Sequence, residues 1–204
     1  MRTILLVMVG LLAAVPGASA DPCDPNAKTL EQIRTLRLRG DTANAARLTD
    51  KVLQSSPDDF RANYDKGLIL IDESRLDRPG KPDLARAKQG IAVLETTAAM
   101  LPKLDQACAK KGGWYGILNT IGVEYYNIGD LKNSEKYLTL AAGKTDMLTD
   151  DTKRRLYSNL GLLYFAKKDG ARSADNFKSA VAAGDASASA KLTQVRARFG
   201  AIAQ

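Results

Sequence analysis

Reactive side chains are scarce in this chain. Its thiol chemistry rests on two cysteines, Cys23 and Cys108, and histidine is absent from all 204 residues. Without histidine the chain lacks the side chain that titrates near neutrality. The usual general base, the Ser-His nucleophile pair and most zinc sites go with it. No Cys-x-x-Cys, phosphate-cradling Gly-Lys-Ser/Thr loop or calcium loop occurs. Glu31, Glu73, Glu95, Glu124 and Glu135 read as residues of solvated helix faces, with no evident pair for acid–base work. The expectation is no enzyme, no metal and no cofactor. Two chemistries remain. The arginines, among them Arg34, Arg37 and Arg155, offer forked donors to carboxylates. The cysteines allow one intramolecular disulfide, two unpaired thiols or an intermolecular bridge. An internal bond would close a loop of about 85 residues, worth about 4 kcal/mol in the chain-entropy account.

The N-terminus reads as an address. Met1-Arg2-Thr3 carries one positive charge, Ile4 to Val15 is almost wholly apolar, and Ala18-Ser19-Ala20 is a small-x-small cleavage site. The apolar run is about a dozen residues, short of the roughly 20 a membrane-spanning helix needs. Residues 1–20 are therefore expected to be a cleaved signal peptide. The expected product is an exported protein starting at Asp21, periplasmic or alternatively extracellular, with no transmembrane segment in the mature chain. Ala20-Asp21-Pro22 before Cys23 does not resemble a lipoprotein box. Export to an oxidising compartment favours the internal disulfide. The formal charge of +7 is modest and no run of basic residues studded with aromatics appears, so nucleic acid is not an expected partner.

Beyond residue 20, Gly and Pro segment the chain into helix-sized pieces, with no alternating run bounded by hairpin dipeptides. Helices are expected over Lys28–Leu38, from Asp41 to about Gln54, and from Asp59 to about Ser74. Arg75 to Pro82 reads as a Pro-Gly loop. A fourth helix is expected from Asp83 to Leu101, with Leu84, Ala87, Ile91, Leu94 and Ala98 as its apolar stripe. Trp114, Leu118, Ile121 and Tyr125 fall on one face of a helix that stops at Gly129, and Asp130 caps its partner. Thr149 and Asp150 open another helix, and Ala174, Phe177 and Ala180 mark the next. Leu192, Val195 and Phe199 line a last helix over about 186–202.

Two of these pieces are copies. Leu118-Asn-Thr-Ile-Gly-Val-Glu-Tyr125 and Tyr157-Ser-Asn-Leu-Gly-Leu-Leu-Tyr164 share one pattern 39 residues apart, and Asp130, Leu138 and Ala141 recur as Asp169, Phe177 and Ala180. This pattern resembles the tetratricopeptide repeat, a helical hairpin of about 34 residues. Residues 115–148 match it through Leu118, Ile121, Gly122, Tyr125, Gly129, Asp130, Leu138 and Ala141. Residues 154–187 match through Tyr157, Leu160, Gly161, Tyr164, Asp169, Phe177 and Ala180. Residues 26–59 match through Leu36, Gly40, Asp41, Ala45 and Pro57, with Ile33 where the small residue is expected. Residues 60–102 keep Gly67 and Leu70 but depart by the Pro-Gly loop.

The resemblance implies an all-α fold for residues 21–204. It would be a right-handed α-solenoid of about four hairpins with a C-terminal capping helix, needed because an open solenoid end exposes apolar surface. It also implies that the first helix of each hairpin lines a concave groove. Positions carried over to that groove are Leu30, Arg34 and Arg37; Tyr64, Leu68 and Ile71; Asn119, Val123 and Tyr126; and Arg155, Ser158, Leu162 and Phe165. Asn119 and Arg155 are candidates for gripping a carboxylate. The function so implied is a non-catalytic adaptor of the cell envelope, holding a peptide segment or helix of an envelope protein. Alternatives are a basic surface for anionic lipid or wall polymer, or a regulatory subunit of an envelope enzyme. The oligomeric state and the partner are not legible.

Overall fold

The computed structural model describes residues 23–76 and 82–200. The expected signal, the middle of the Pro-Gly loop and the last four residues lie outside the described residues. Among those described, ten α-helices succeed one another: α1 Ala27–Leu38, α2 Thr42–Ser55, α3 Phe60–Leu76, α4 Leu84–Ala98, α5 Gln106–Lys111, α6 Gly116–Asn127, α7 Leu131–Ala142, α8 Asp150–Ala166, α9 Gly170–Ala182 and α10 Ala188–Phe199. Strands are absent among the described residues. Helices pair in sequence order as α1 with α2, α3 with α4, α6 with α7 and α8 with α9, while α10 packs on α9.

Short polar residues start most of these helices. Asp41, Asp59, Asp83, Asp105, Asp130, Thr149 and Asp169 each accept a hydrogen bond from a backbone N–H two or three residues on, satisfying donors a helix start leaves free. Three hairpin turns share one construction. Asp41, Asp130 and Asp169 donate their backbone N–H to the carbonyls of Leu36, Tyr125 and Tyr164 at 2.9–3.0 Å. The residue before each aspartate adopts positive φ: Gly40 at 78°, Gly129 at 83° and Lys168 at 61°. Lysine is the exception among them, since a Cβ strains the left-handed region that glycine adopts freely.

Inside three hairpins a glycine lets the second helix come close. A Cβ on Gly122 would lie 2.6 Å from Leu138 Cγ, one on Gly161 would lie 2.7 Å from Phe177, and one on Gly67 would lie 2.6 Å from Leu94. Sixteen residues separate Gly122 from Leu138 and Gly161 from Phe177, but 27 separate Gly67 from Leu94. The insertion thus lengthens the end of α3, the connection and the start of α4 while the same large-into-small contact is kept. The first hairpin reverses the sizes. Ile33 stands at the glycine position, and sixteen residues on is the smaller Thr49, both fully buried. Three apolar clusters result: one shared by α1, α2 and α3, a central one spanning α3 to α8, and a last one where α10 covers α9 with Val195 and Ala188.

Several details differ from the sequence expectation. The segment holding Cys108 is itself the short helix α5, whereas the Cys23–Cys108 disulfide, S–S 2.04 Å, is the internal pairing that the sequence favours. Leu101 to Lys103 is a separate 3₁₀ turn, so α4 stops at Ala98. Trp114 precedes α6 and stacks on Phe60 at 5.2 Å between centroids. Four of the glutamates are not simply solvated, Glu73 among them through its ion pair with Arg86 at 3.0 Å. Tyr125 and Tyr137 both donate to Glu95 Oε1 at 2.8 Å; burial, then this bond to a carboxylate, pushes both phenols up, Tyr137 to about 12. Glu124 is buried and bonded to Arg75 and Asn127, and Glu135 bridges Lys167 and Arg172. Stacking of neighbouring hairpins turned polar faces inward that one isolated helix would leave in water.

Packing and turn geometry can each be tested by substitution. Gly122→Ala should destabilise the protein by about 1–3 kcal/mol in chemical denaturation, although Ala is the better helix former, because overpacking outweighs propensity. Adding Leu138→Ala should make the double variant less destabilised than the two single losses summed. Lys168→Gly should raise stability by about 0.5–1 kcal/mol, relief of left-handed strain outweighing the added unfolded-state entropy.

Candidate functional site

The first helices of successive hairpins stand side by side, and two adjoining clefts run across α3, α6 and α8. The first has a volume of about 240 Å³ and is bounded by Phe60, Arg61 and Tyr64 of α3, the Gly112-Gly113-Trp114 turn, and Arg155 of α8. The second, about 380 Å³, continues from it past Val123, Ser158 and Asn159 to Asp185 and Lys191 beside α10. Asn119, Thr120 and Arg155 line both clefts, so they form one groove.

Its floor is hydrogen-bonded in advance. The Tyr64 hydroxyl and Thr120 Oγ1 lie 3.1 Å apart, and the Asn159 amide donates to Asn119 Oδ1 at 2.9 Å. Ser158 donates to Asp185, and Ser187 donates to the same carboxylate through its hydroxyl and backbone N–H. These bonds, the Ser158 hydroxyl foremost, hold the Asp185 carboxyl down at about 2. Arg155 is 69 % exposed at its side chain and lies 2.5 Å from Asp151, one turn earlier.

The expected groove residues divide by burial. Tyr64, Asn119, Val123, Arg155 and Ser158 line the clefts. Leu30, Leu68 at 8 % and Ile71 at 1 % exposure do not, because they fill apolar clusters between hairpins. Arg34 is exposed near Glu31, and Arg37 is tied to Asp72 at 2.9 Å. Tyr126 packs partly against the central cluster, and Leu162 is 36 % exposed. Phe165 meets Phe199 of α10 edge-on at 5.6 Å with the Arg198 guanidinium over its ring, so the capping helix engages it. Arg61, Thr120, Asn159, Asp185 and Lys191 join the groove without having been expected there. A signal existed for two pairs: Thr120 and Asn159 are 39 residues apart, and Arg61 and Arg155 stand equally far before Gly67 and Gly161.

Beside the groove, α3 buries one further carboxylate. Asp65 faces Arg37, Arg61 and Arg34, with Asp59 also nearby, yet burial outweighs these cations and raises its pKa to about 6. The folded state therefore binds a proton that the unfolded chain releases near pH 4. Stability from this group is greatest below that value and falls as pH rises toward 6. Asp65→Asn should flatten that part of the stability-versus-pH curve and raise stability at pH 7, on the order of 2 kcal/mol, measured by urea titration at each pH.

No protein-family model matches the chain, and no curated protein does. Solved structures match in shape. PilF of Pseudomonas aeruginosa is similar with a TM-score of 0.68 and 16 % identity, over 85 % of this chain and 68 % of that one. The MamA RS-1 ArsTM double mutant is similar with a TM-score of 0.52 and 22 % identity, over 80 % of this chain and 76 % of the other. Likeness in shape at such identities bears on architecture. With the hairpin pairing and the glycine contacts, it establishes that the chain has the tetratricopeptide-type fold, a helical-hairpin solenoid ending in a capping helix.

Proposed function

We propose that this protein is a non-catalytic adaptor of the cell envelope that holds a segment of a partner protein in the groove across α3, α6 and α8. The single observation carrying this reading is the continuity of the two clefts through Asn119, Thr120 and Arg155. A groove that crosses three helices suits an elongated segment better than a compact small molecule. Its floor is already hydrogen-bonded and its walls are packed into the hairpin cores, so little ordering entropy is lost on binding. The charged groups along it are Arg61, Arg155, Lys191 and Asp185, whose carboxyl the Ser158 and Ser187 bonds hold ionised. No helix among the described residues is long and apolar enough to cross a membrane. Placement in the envelope rests on the signal-like residues 1–20.

Val123, Asn119 and Arg155 form the central recognition surface in this reading. A photo-crosslinking amino acid placed at Val123, which lines the second cleft, should trap a discrete envelope protein in cells. The same group at Leu140, exposed on the second helix of its hairpin, should trap none. A product formed from Leu140 alone would place the partner on the opposite face and overturn the groove assignment.

A further inference from the structure

The register of the hairpins places three residues at one level of the groove. Arg61, Gly116 and Arg155 each stand six positions before the packing glycine of their own hairpin, Gly67, Gly122 and Gly161. All three line the first cleft. The middle position carries no side chain, and packing does not demand that. A Cβ on Gly116 would approach nothing closer than 3.4 Å, an ordinary contact, unlike the 2.6 Å clash at Gly122. Between the two guanidinium-bearing helices the cleft thus carries no side chain at this position and is bordered there by Thr152.

The chain itself displays what these cations accept. Asp24, on the non-helical segment that the disulfide fastens to α5, is ion-paired with Arg61 at the edge of the cleft. Arg155 takes Asp151 in the same manner. Neither carboxylate exhausts a guanidinium, which presents five N–H donors. Between the two arginines the cleft offers the Tyr64 and Thr120 hydroxyls, the Asn119 amide, and the stacked Phe60 and Trp114 rings as an apolar wall. The second cleft also has a cation, Lys191, but Asp185 stands beside it as a fixed negative charge. Anion recognition therefore concentrates in the first cleft.

We propose that the first cleft receives carboxylate side chains of an acidic, extended segment of the partner, with Arg61 and Arg155 as the paired receptors. This rests on the groove reading and narrows it from a protein segment to an acidic one. Forked arginine donors match carboxylates in geometry as well as charge, and their placement on helices either side of α6 favours a segment carrying more than one acid over a single isolated one.

The probe is a fluorescein-labelled, C-terminally amidated peptide of alternating glutamate and glycine, compared with a twin carrying glutamine for glutamate. Anisotropy should report saturable binding of the glutamate peptide and at least about tenfold weaker binding of the twin. Emission of Trp114, the chain's one tryptophan, should change in step. Arg155→Gln, at an exposed position that does not bear on folding, should weaken the glutamate peptide about tenfold. Lys132→Gln with Lys136→Gln on α7 should leave it unchanged. Equal binding of the two peptides, no binding of either, or equal losses in the α7 and Arg155 variants would each overturn the proposal. Retained crosslinking from Val123 in Arg155→Gln, alongside any of those results, would leave the groove reading standing and remove only its acidic specificity.

Discussion

Close approach of two helices inside a hairpin is the constraint on which the rest of this structure depends. Leu138, Phe177 and Leu94 occupy the space that a Cβ on Gly122, Gly161 or Gly67 would need. The contact sets the distance between the paired helices and their register along the axis. Because three of the four hairpins are built on the same contact, their first helices line up side by side. Residues at equal offsets from the glycine then meet at one level. The Arg61–Gly116–Arg155 row follows from that shared register, and the hydrogen bonds Tyr64–Thr120 and Asn119–Asn159 both join the position three before one glycine to the position two before the next.

Apolar and polar contacts divide the work of assembly. Within hairpins the contacts are large residues on small ones. Between hairpins many are ionic or hydrogen-bonded: Arg37 to Asp72, Arg75 to Glu124, and Glu135 to Lys167 and Arg172. Half-buried pairs of this kind contribute less than apolar burial because desolvation offsets much of the attraction. They discriminate between registers all the same, since a shifted neighbour would leave an acid or a base unpaired. Glu95, accepting from both Tyr125 and Tyr137, fastens the second hairpin to the third in this way. The disulfide adds a covalent tie from the first helix's approach to the segment between the second and third hairpins.

Much of the fold is legible in local signals. Asp41, Asp130 and Thr149 are readable as caps, because a short polar side chain before an apolar period satisfies donors that belong to its own helix. The close-packing role of Gly122 and Gly161 is readable from their echo 39 residues apart. The groove is legible only in part. Asn119, Val123, Arg155 and Ser158 line the clefts, whereas Leu30, Leu68 and Ile71 are absorbed into the core. Helix periodicity assigns a residue to a face, but three neighbouring helices compete to cover that face. Which side chain remains in the open depends on how far each neighbour reaches.

The sequence by itself determined every long helix, several of the caps, the repeat and the close approach at Gly122 and Gly161. All of these rest on interactions between residues whose spacing along the chain is fixed or recurs. Tertiary structure alone decided the rest. It brought Cys23 to Cys108 and Asp24 to Arg61, buried Glu124 and Asp65, and laid α10 against Phe165. It also opened a cleft between Arg61 and Arg155, far apart in the chain. Those outcomes depend on the curvature of the stack and on the loops that bridge it, and neither is encoded in any one helix's period.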